Sequence, residues 1–229
     1  MIEVLDNIPV TLELEKVMAR LHVRRRNGAI EEMARDLIDA ATAVARPRAI
    51  YAVSRVDSRD EDSVEIDGVR FTSRVLRVNL DTANRVFPYV ATCGRELDEI
   101  VVPPEDLLRA YCLDVIKTMA LGSAIRHLTD YLDTRYRPGK MSHMNPGSLG
   151  SWPVAQQRQL FSVLGDVEAA IGVTLTEGMA MVPTKSVSGI YFPTETGFES
   201  CQLCPMEDCV GRRAPYDPDL ARQYETAAT

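Results

Sequence analysis

Two stretches near the N-terminus place apolar residues three or four positions apart, which is the period of a helix with one buried face. The first, residues 11–23, reads TLELEKVMARLHV, and the second, residues 29–45, reads AIEEMARDLIDAATAVA. Asn27-Gly28 is a typical break between two such helices. The chain is therefore predicted to open with a helical pair within residues 9–45.

Strands are predicted where β-branched and aromatic residues concentrate or alternate with polar ones. A hairpin is predicted where Asp67-Gly68 suits a tight turn. The predicted strands cover residues 48–56, 86–94, 172–183 and 186–193, and the predicted hairpin covers residues 63–71.

Further helices are predicted between these strands, and residues 139–152 are predicted to be a loop because they are rich in Pro, Gly and Ser. The helices cover residues 73–86, residues 104–136, and a stretch from Pro153 to about Leu164. Helices mixed with mostly antiparallel strands indicate an α+β fold. We expect one domain over residues 1–197, followed by a cysteine-containing segment over residues 198–229.

The overall charge argues against some classes of partner. The chain has 229 residues and a net charge of −7, so broad attraction to nucleic acid or to an anionic membrane is not expected. The run Arg24, Arg25 and Arg26 is interpreted as a solvated helix end. The sequence shows neither a signal peptide nor a long apolar span, which predicts a cytoplasmic protein in which disulfides are disfavoured.

Three of the five cysteines, Cys201, Cys204 and Cys209, fall within nine residues near the C-terminus. A C-x2-C pair lets two thiolates reach one metal ion, and a third thiolate can approach after a short loop. Zinc and iron–sulfur clusters both use such ligands. A fourth ligand is needed, and the candidates are Cys93, Cys112, His143 or an exogenous group. The alternative is a flexible tail with reduced thiols and no metal.

The local sequence around each candidate for the fourth ligand indicates how well it suits that role. Cys93 lies between a predicted strand and a predicted helix, beside Gly94, and a thiol at a helix N-terminus tends to have a lowered pKa. It is therefore the first candidate, although a half-buried structural thiol fits as well. Cys112 lies on the apolar stripe of the long helix, which favours core packing. His143 lies in a loop of the kind that carries function, and a functional and a structural role are equally compatible with that position.

The signature IGVTLTEGMAMVPTKSVSGIYF, residues 171–192, resembles the activation (reactivation) domain of vitamin B12-dependent methionine synthase. Upstream, NPGSLGSWPVAQQRQLFSVLG is similar to that family's loop, Pro and helix. The resemblance is strongest over residues 144–192. A weaker similarity in VATCGRELDEI and the long helix extends it back to about residue 45.

This resemblance implies an α+β module that binds S-adenosylmethionine, docks on a cobalamin domain and supports reductive remethylation of cob(II)alamin. The family has an Arg where this chain has His143, and a Tyr where it has Ser148. A histidine pairs less reliably with a carboxylate than an arginine fork does. Binding of S-adenosylmethionine is therefore expected to be weak.

The cysteine tail is absent from that family and instead resembles the free-standing reductive activators of corrinoid proteins. We therefore expect an accessory protein of corrinoid methyl transfer that carries an iron–sulfur cluster, of the 4Fe–4S type, at Cys201, Cys204, Cys209 and Cys93. Its partner would be a corrinoid-binding protein or corrinoid methyltransferase. The alternative is a non-catalytic corrinoid-protein-binding module with zinc or no metal, so enzymatic activity is left open. Surface or salt-bridging roles are alternatives for Glu177 and Lys185. The expected cofactor-binding residues are His143, Asn145, Pro146, Gly147, Ser148, Glu177, Lys185 and Ser186.

Overall fold

The structure is a computed structural model and describes residues 1–22, 27–209 and 211–226. The arginine run at residues 24–26, interpreted above as a solvated helix end, lies outside this part of the chain. The helices are α1 (Leu14–Arg20), α2 (Gly28–Val44), α3 (Arg74–Asn79), α4 (Leu107–Tyr136), α5 (Gln157–Leu164), α6 (Val167–Ile171) and α7 (Pro218–Thr226). No helix within these ranges is both long enough and apolar enough to cross a bilayer.

Ten strands lie in two antiparallel sheets within the described residues. The strands are β1 (Ile2–Leu5), β2 (Arg48–Ala52), β3 (Ser54–Arg59), β4 (Ser63–Ile66), β5 (Val69–Thr72), β6 (Arg85–Thr92), β7 (Met141–Met144), β8 (Thr174–Leu175), β9 (Met181–Val182) and β10 (Ser186–Pro193).

Strand β6 is the centre of the main sheet. β2 and β3 follow one another along one side of it, with Arg48 opposite Thr92 and Ser54 opposite Val86. β10 pairs with the other side of β6, and β7 pairs with β10 at the sheet edge. β8 and β9 form a separate short hairpin.

The two faces of the main sheet are covered by different helices, because successive side chains of β6 point to opposite faces. Phe87, Tyr89 and Ala91 pack in one buried cluster with residues of α4. Val90, from the intervening position, packs with residues of α6 on the opposite face. A further cluster joins α1, α2 and α4, and it contains both Cys93 and Cys112. The mixed helices and antiparallel sheet confirm the predicted α+β class.

Several predicted elements differ from the observed ones in their extent. The first helix begins at Leu14, and the helix predicted over residues 73–86 ends at Asn79. Asn27 caps α2 by accepting a hydrogen bond from the Ile30 amide, so the predicted break is correct. Four of these helices and strands were not predicted: β1 ahead of the helical pair, β7 inside the expected loop, α6, and the C-terminal helix α7.

The C-terminal segment packs against the rest of the protein. The Phe198 amide donates to Ser142 Oγ in β7 over 2.6 Å. Further along, Tyr224 Oη donates to Asn79 Oδ1, and the Tyr224 ring lies 5.6 Å from that of Phe198. The segment therefore crosses the edge of the sheet at β7 and returns to α3.

Candidate functional site

A cavity of about 270 Å³ lies between the start of the loop after β7 and the C-terminal segment. It is lined by residues from both: His143, Asn145, Ser148, Glu199, Ser200, Cys201, Cys204, Cys209, Gly211 and Arg213. Three predicted cofactor-binding residues and the three tail cysteines thus lie around one cavity. We call it the cysteine pocket.

Register on the sheet edge explains the position of His143. It lies opposite Tyr191 of β10, and the two rings are 5.3 Å apart. Burial, together with the charge of Arg213, lowers the pKa of His143 below its ordinary value, and the nearby Glu199 carboxylate opposes this effect. His143 is therefore held as a neutral ring at the wall of the pocket.

Asn145 ties the following loop to the sheet. Its Nδ2 donates to Ser188 O over 2.6 Å and to Tyr89 Oη over 3.1 Å. Gly189 makes this close approach possible, since a Cβ there would lie 2.5 Å from Met144 O and 2.6 Å from Asn145 Nδ2. The absence of a side chain at residue 189 thus sets the position of Asn145.

Beneath His143 and Asn145 lies a buried aromatic pair. The rings of Tyr89 and Tyr191 stack 4.5 Å apart, and burial raises the pKa of both hydroxyls. Both therefore stay protonated near neutral pH. They support two residues of the pocket wall, since Tyr191 packs against His143 and Tyr89 accepts from Asn145, and they are not a source of protons.

The loop that carries the cysteines is held by one guanidinium. Arg212 donates to the carbonyl oxygens of Cys201, Cys204 and Ala214 over 3.0–3.1 Å, and it also contacts Met206 O. The Cys204 amide donates to Cys201 O, which closes the turn between the two cysteines. The carbonyls of the C-x2-C pair therefore converge on a single cation.

Arg213, the next residue, turns towards the pocket. Its backbone amide lies 3.4 Å from Cys201 Sγ, and its Nη1 lies 3.1 Å from His143 Nε2. It forms no ion pair with any residue in the described ranges. Arg213 was not predicted from the sequence, although a basic pair three and four positions after the last cysteine of an acidic chain is a signal that could have found it.

The three thiols share the pocket without being gathered around one point. Among residues 1–22, 27–209 and 211–226, no three His, Cys, Asp or Glu side chains lie close enough together to hold a metal ion. Three soft thiols and an imidazole in one cavity nevertheless match the ligands that zinc and iron–sulfur clusters use. The donor types fit such a centre, and the metal site stays a prediction.

Cys93 does not lie in this pocket. Its amide donates to Lys185 O, just before β10 begins, whereas His143 pairs near the other end of that strand. Lys185 is six positions from Tyr191, the partner of His143, which corresponds to about 20 Å along a strand. Cys93 is fully buried, and burial, reinforced by Asp98, raises its pKa to about 12. The expected lowered pKa is wrong, and the structure does not bring Cys93 to the tail cysteines.

Other predicted cofactor-binding residues also lie away from the pocket. Glu177 is exposed in the turn between β8 and β9 rather than on a strand. Lys185 pairs with Asp114 over 2.9 Å, and Ser186 Oγ donates to Thr92 Oγ1 and Pro183 O. Pro146 and Gly147 belong to the pocket loop but do not line the cavity.

Comparison with known proteins agrees with the resemblance seen in the sequence. Residues 144–199 match the family "Vitamin B12 dependent methionine synthase, activation domain". The fold is similar to the crystal structure of the MetH reactivation domain bound to AdoHcy, with a TM-score of 0.59 and 15% identity over 87% of this chain and 81% of that chain. At this identity the structural match shows the fold alone. A search of curated proteins found no match.

Proposed function

We propose that this chain, which contains an activation-domain segment and has the reactivation-domain fold, is an accessory protein of corrinoid methyl transfer. Its role would be the reductive activation of a corrinoid protein. The observation that carries the proposal is the cysteine pocket, in which residues from the matched segment and three thiols line one cavity. The partner would be a corrinoid-binding protein or a corrinoid methyltransferase.

An electron carrier gives the three thiols a use in that role. Reduction of cob(II)alamin to cob(I)alamin consumes one electron and needs a donor of low potential. An iron–sulfur cluster, when bound, supplies one electron at a potential set by its ligands, nearby charge and exposure. Cys201, Cys204 and Cys209 would hold it, and Arg212 would keep the first two in place. Zinc has no redox chemistry and would make the segment purely structural.

The cysteine pocket also contains a group that could bind the carboxylate of an S-adenosyl compound. The similar MetH domain was crystallised with AdoHcy, whose amino-acid end carries a carboxylate. Position 143 lacks the arginine of the family, but the guanidinium of Arg213 lies directly against His143. If an S-adenosyl compound binds, we propose that its carboxylate is held by Arg213.

The second candidate is a non-catalytic module that docks on a corrinoid protein, with zinc or no metal at the cysteines. The three thiols are not gathered around one point in the described structure, which favours the version of this candidate without a metal. Both candidates share the corrinoid partner and differ in whether electrons pass through the chain.

Purification without oxygen, followed by iron and sulfide analysis and by UV–visible and EPR spectroscopy, tests the redox proposal. We expect a brown protein with a reducible cluster, and loss of iron in Cys201→Ser. The matched control is Cys112→Ser, which changes a buried thiol far from the pocket and should keep its iron. A colourless protein without iron would exclude the redox role and leave the docking module.

A further inference from the structure

His143 is the one histidine that lines the cysteine pocket within the described residues. We propose that its Nε2 is the fourth protein ligand of a metal centre there, completing a set of three cysteines and one histidine. This inference rests on the proposed function for the existence of a centre at the cysteines. It goes further by naming the ligand and hence the class of site, which takes thiophilic metals or clusters.

The structure leaves few other protein donors for the fourth position. Cys93 and Cys112 are both fully buried in the cluster formed by α1, α2 and α4. Glu199 is the one carboxylate that lines the pocket in the part of the chain that is described, and carboxylate is a harder ligand than imidazole. His143 is thus the pocket side chain best matched to three thiolates.

The hydrogen bond of His143 identifies the atom that would bind. An arginine guanidinium has only donors, so Nε2 must accept from Arg213 and must carry a lone pair. A histidine binds a metal through such an unprotonated nitrogen. The ring packs against Tyr191, and its Nε2 contacts Arg213, another residue that lines the pocket.

Arg213 connects His143 to the cysteines. Its backbone amide points at Cys201 Sγ over 3.4 Å while its guanidinium meets His143. Amide donors to sulfur are among the features that tune metal–thiolate centres. Arg213 therefore contacts Cys201 through its backbone and His143 through its side chain, so that its guanidinium lies beside Nε2 of His143.

Metal binding requires a local rearrangement of the side chains that line the pocket. The guanidinium of Arg213 must leave Nε2, and the thiols must move closer together, because no three potential ligands are gathered at one point in the described residues. Arg213 and Cys209 are both exposed, and Arg213 has no ion pair among the described residues to restrain it. His143, Cys201 and Cys204 are half-buried and held by hydrogen bonds or packing. The site would thus be completed by the exposed part of the loop closing on the fixed part.

Cobalt(II) is a suitable probe because its absorption reports thiolate and imidazole ligands in a tetrahedral site. The full chain, freed of metal and reduced, would be titrated with Co²⁺ as wild type, His143→Ala, His143→Cys and the control His127→Ala, whose residue lies in α4. We expect one Co²⁺ per wild-type chain. We expect His143→Ala to weaken Co²⁺ binding at least about tenfold. His143→Cys should restore the affinity and shift the absorption towards that of a thiolate ligand. The control His127→Ala should match the wild type in both affinity and spectrum.

A second measurement uses protein purified without oxygen. If iron is present, pulsed EPR of the reduced centre should show ¹⁴N hyperfine coupling from a coordinated imidazole, and the coupling should disappear in His143→Cys. Equal Co²⁺ affinity of wild type and His143→Ala, absence of Co²⁺ binding, or an iron centre without nitrogen coupling would each overturn the inference. If Co²⁺ binds through His143 but the protein never contains iron, the redox role is excluded and the assignment of His143 as a ligand is supported.

Discussion

Nη1 of Arg213 lies 3.1 Å from Nε2 of His143, and this contact links the C-terminal segment to the sheet edge. His143 is one position before the segment that matches the activation-domain family. Arg213 lies four positions after Cys209, the last cysteine. The contact therefore joins the edge of the matched segment to the part of the chain that lies beyond it.

The first prediction concerns the protonation of His143. Its pKa in the folded protein lies below the ordinary value of 6.5, first through burial and then through Arg213, while Glu199 acts in the opposite direction. Because folding disfavours the protonated ring, this position favours the folded state fully above about pH 6.5. The contribution is lost as the pH falls from 6.5 through the folded-state pKa.

Titration of the His143 ring by NMR tests this directly. We expect a midpoint below 6.5 in the wild type and a higher midpoint in Arg213→Gln, because a repelling cation has been removed. Arg55→Gln, which changes an exposed arginine in β3, should leave the midpoint where it was. A wild-type midpoint at or above the ordinary value would contradict the account.

The second prediction concerns the close packing at Gly189. A methyl group there would overlap Met144 O and Asn145 Nδ2, so Gly189→Ala must push β7 away from β10. We expect a loss of about 1–3 kcal/mol, the range for overpacking. For a chain of this size that corresponds to a fall in Tm of roughly 2–12 °C in calorimetry.

Gly178→Ala is the matched control for this change. Gly178 lies in the exposed turn between β8 and β9, and the nearest atom to an added Cβ is Thr176 Oγ1 at 4.0 Å. Its Tm should stay close to that of the wild type. Equal Tm values for Gly189→Ala and Gly178→Ala would show that Gly189 does not set the position of the pocket loop.

The third prediction concerns S-adenosylmethionine. Replacement of the family's arginine by His143 predicts weak binding, and Arg213 is the guanidinium that lies closest to that position in the pocket. In isothermal titration calorimetry, Arg213→Gln should weaken whatever binding the wild type shows by about tenfold or more, the cost of one hydrogen bond to a charged group. Tight wild-type binding that survives Arg213→Gln would refute both statements.

The fourth prediction concerns Cys93, which the sequence favoured as a metal ligand. Its full burial among α1, α2 and α4 predicts that Cys93→Ala keeps the metal stoichiometry and spectrum of the wild type. The expected cost is in stability alone, on the order of 1 kcal/mol for a small cavity in the core. Loss of metal in this variant, with folding retained, would return Cys93 to the ligand set.

Local sequence predicted much of the fold because local rules determine it. The Asp67-Gly68 hairpin and the capping of α2 at Asn27 follow from turn and cap chemistry. Strand β10 has the bounds expected from its run of β-branched and aromatic residues. β7 was missed because its residues MSHM carry no strand pattern, and pairing with β10 makes them a strand.

The pocket could be predicted only in part, for the same reason. The three cysteines and His143 were recognised from residue type and spacing. That they line one pocket, and that Arg213 lies beside His143, depends on how the C-terminal segment crosses the sheet. The burial of Cys93 depends on how α1, α2 and α4 pack over the end of β6. Neither Glu177 nor Lys185 could be placed from the signature alone, because a shared motif does not state which of its residues face a cavity.

The most direct test of the central claim is electron transfer to cobalamin. The chain, purified without oxygen, reduced and freed of excess reductant, would be mixed with cob(II)alamin held on the cobalamin domain of methionine synthase. Loss of the cob(II)alamin EPR signal would be followed with time. The account predicts rapid loss with the wild type and little or none with Cys201→Ser. Equal rates with both proteins, or no loss with either, would contradict it.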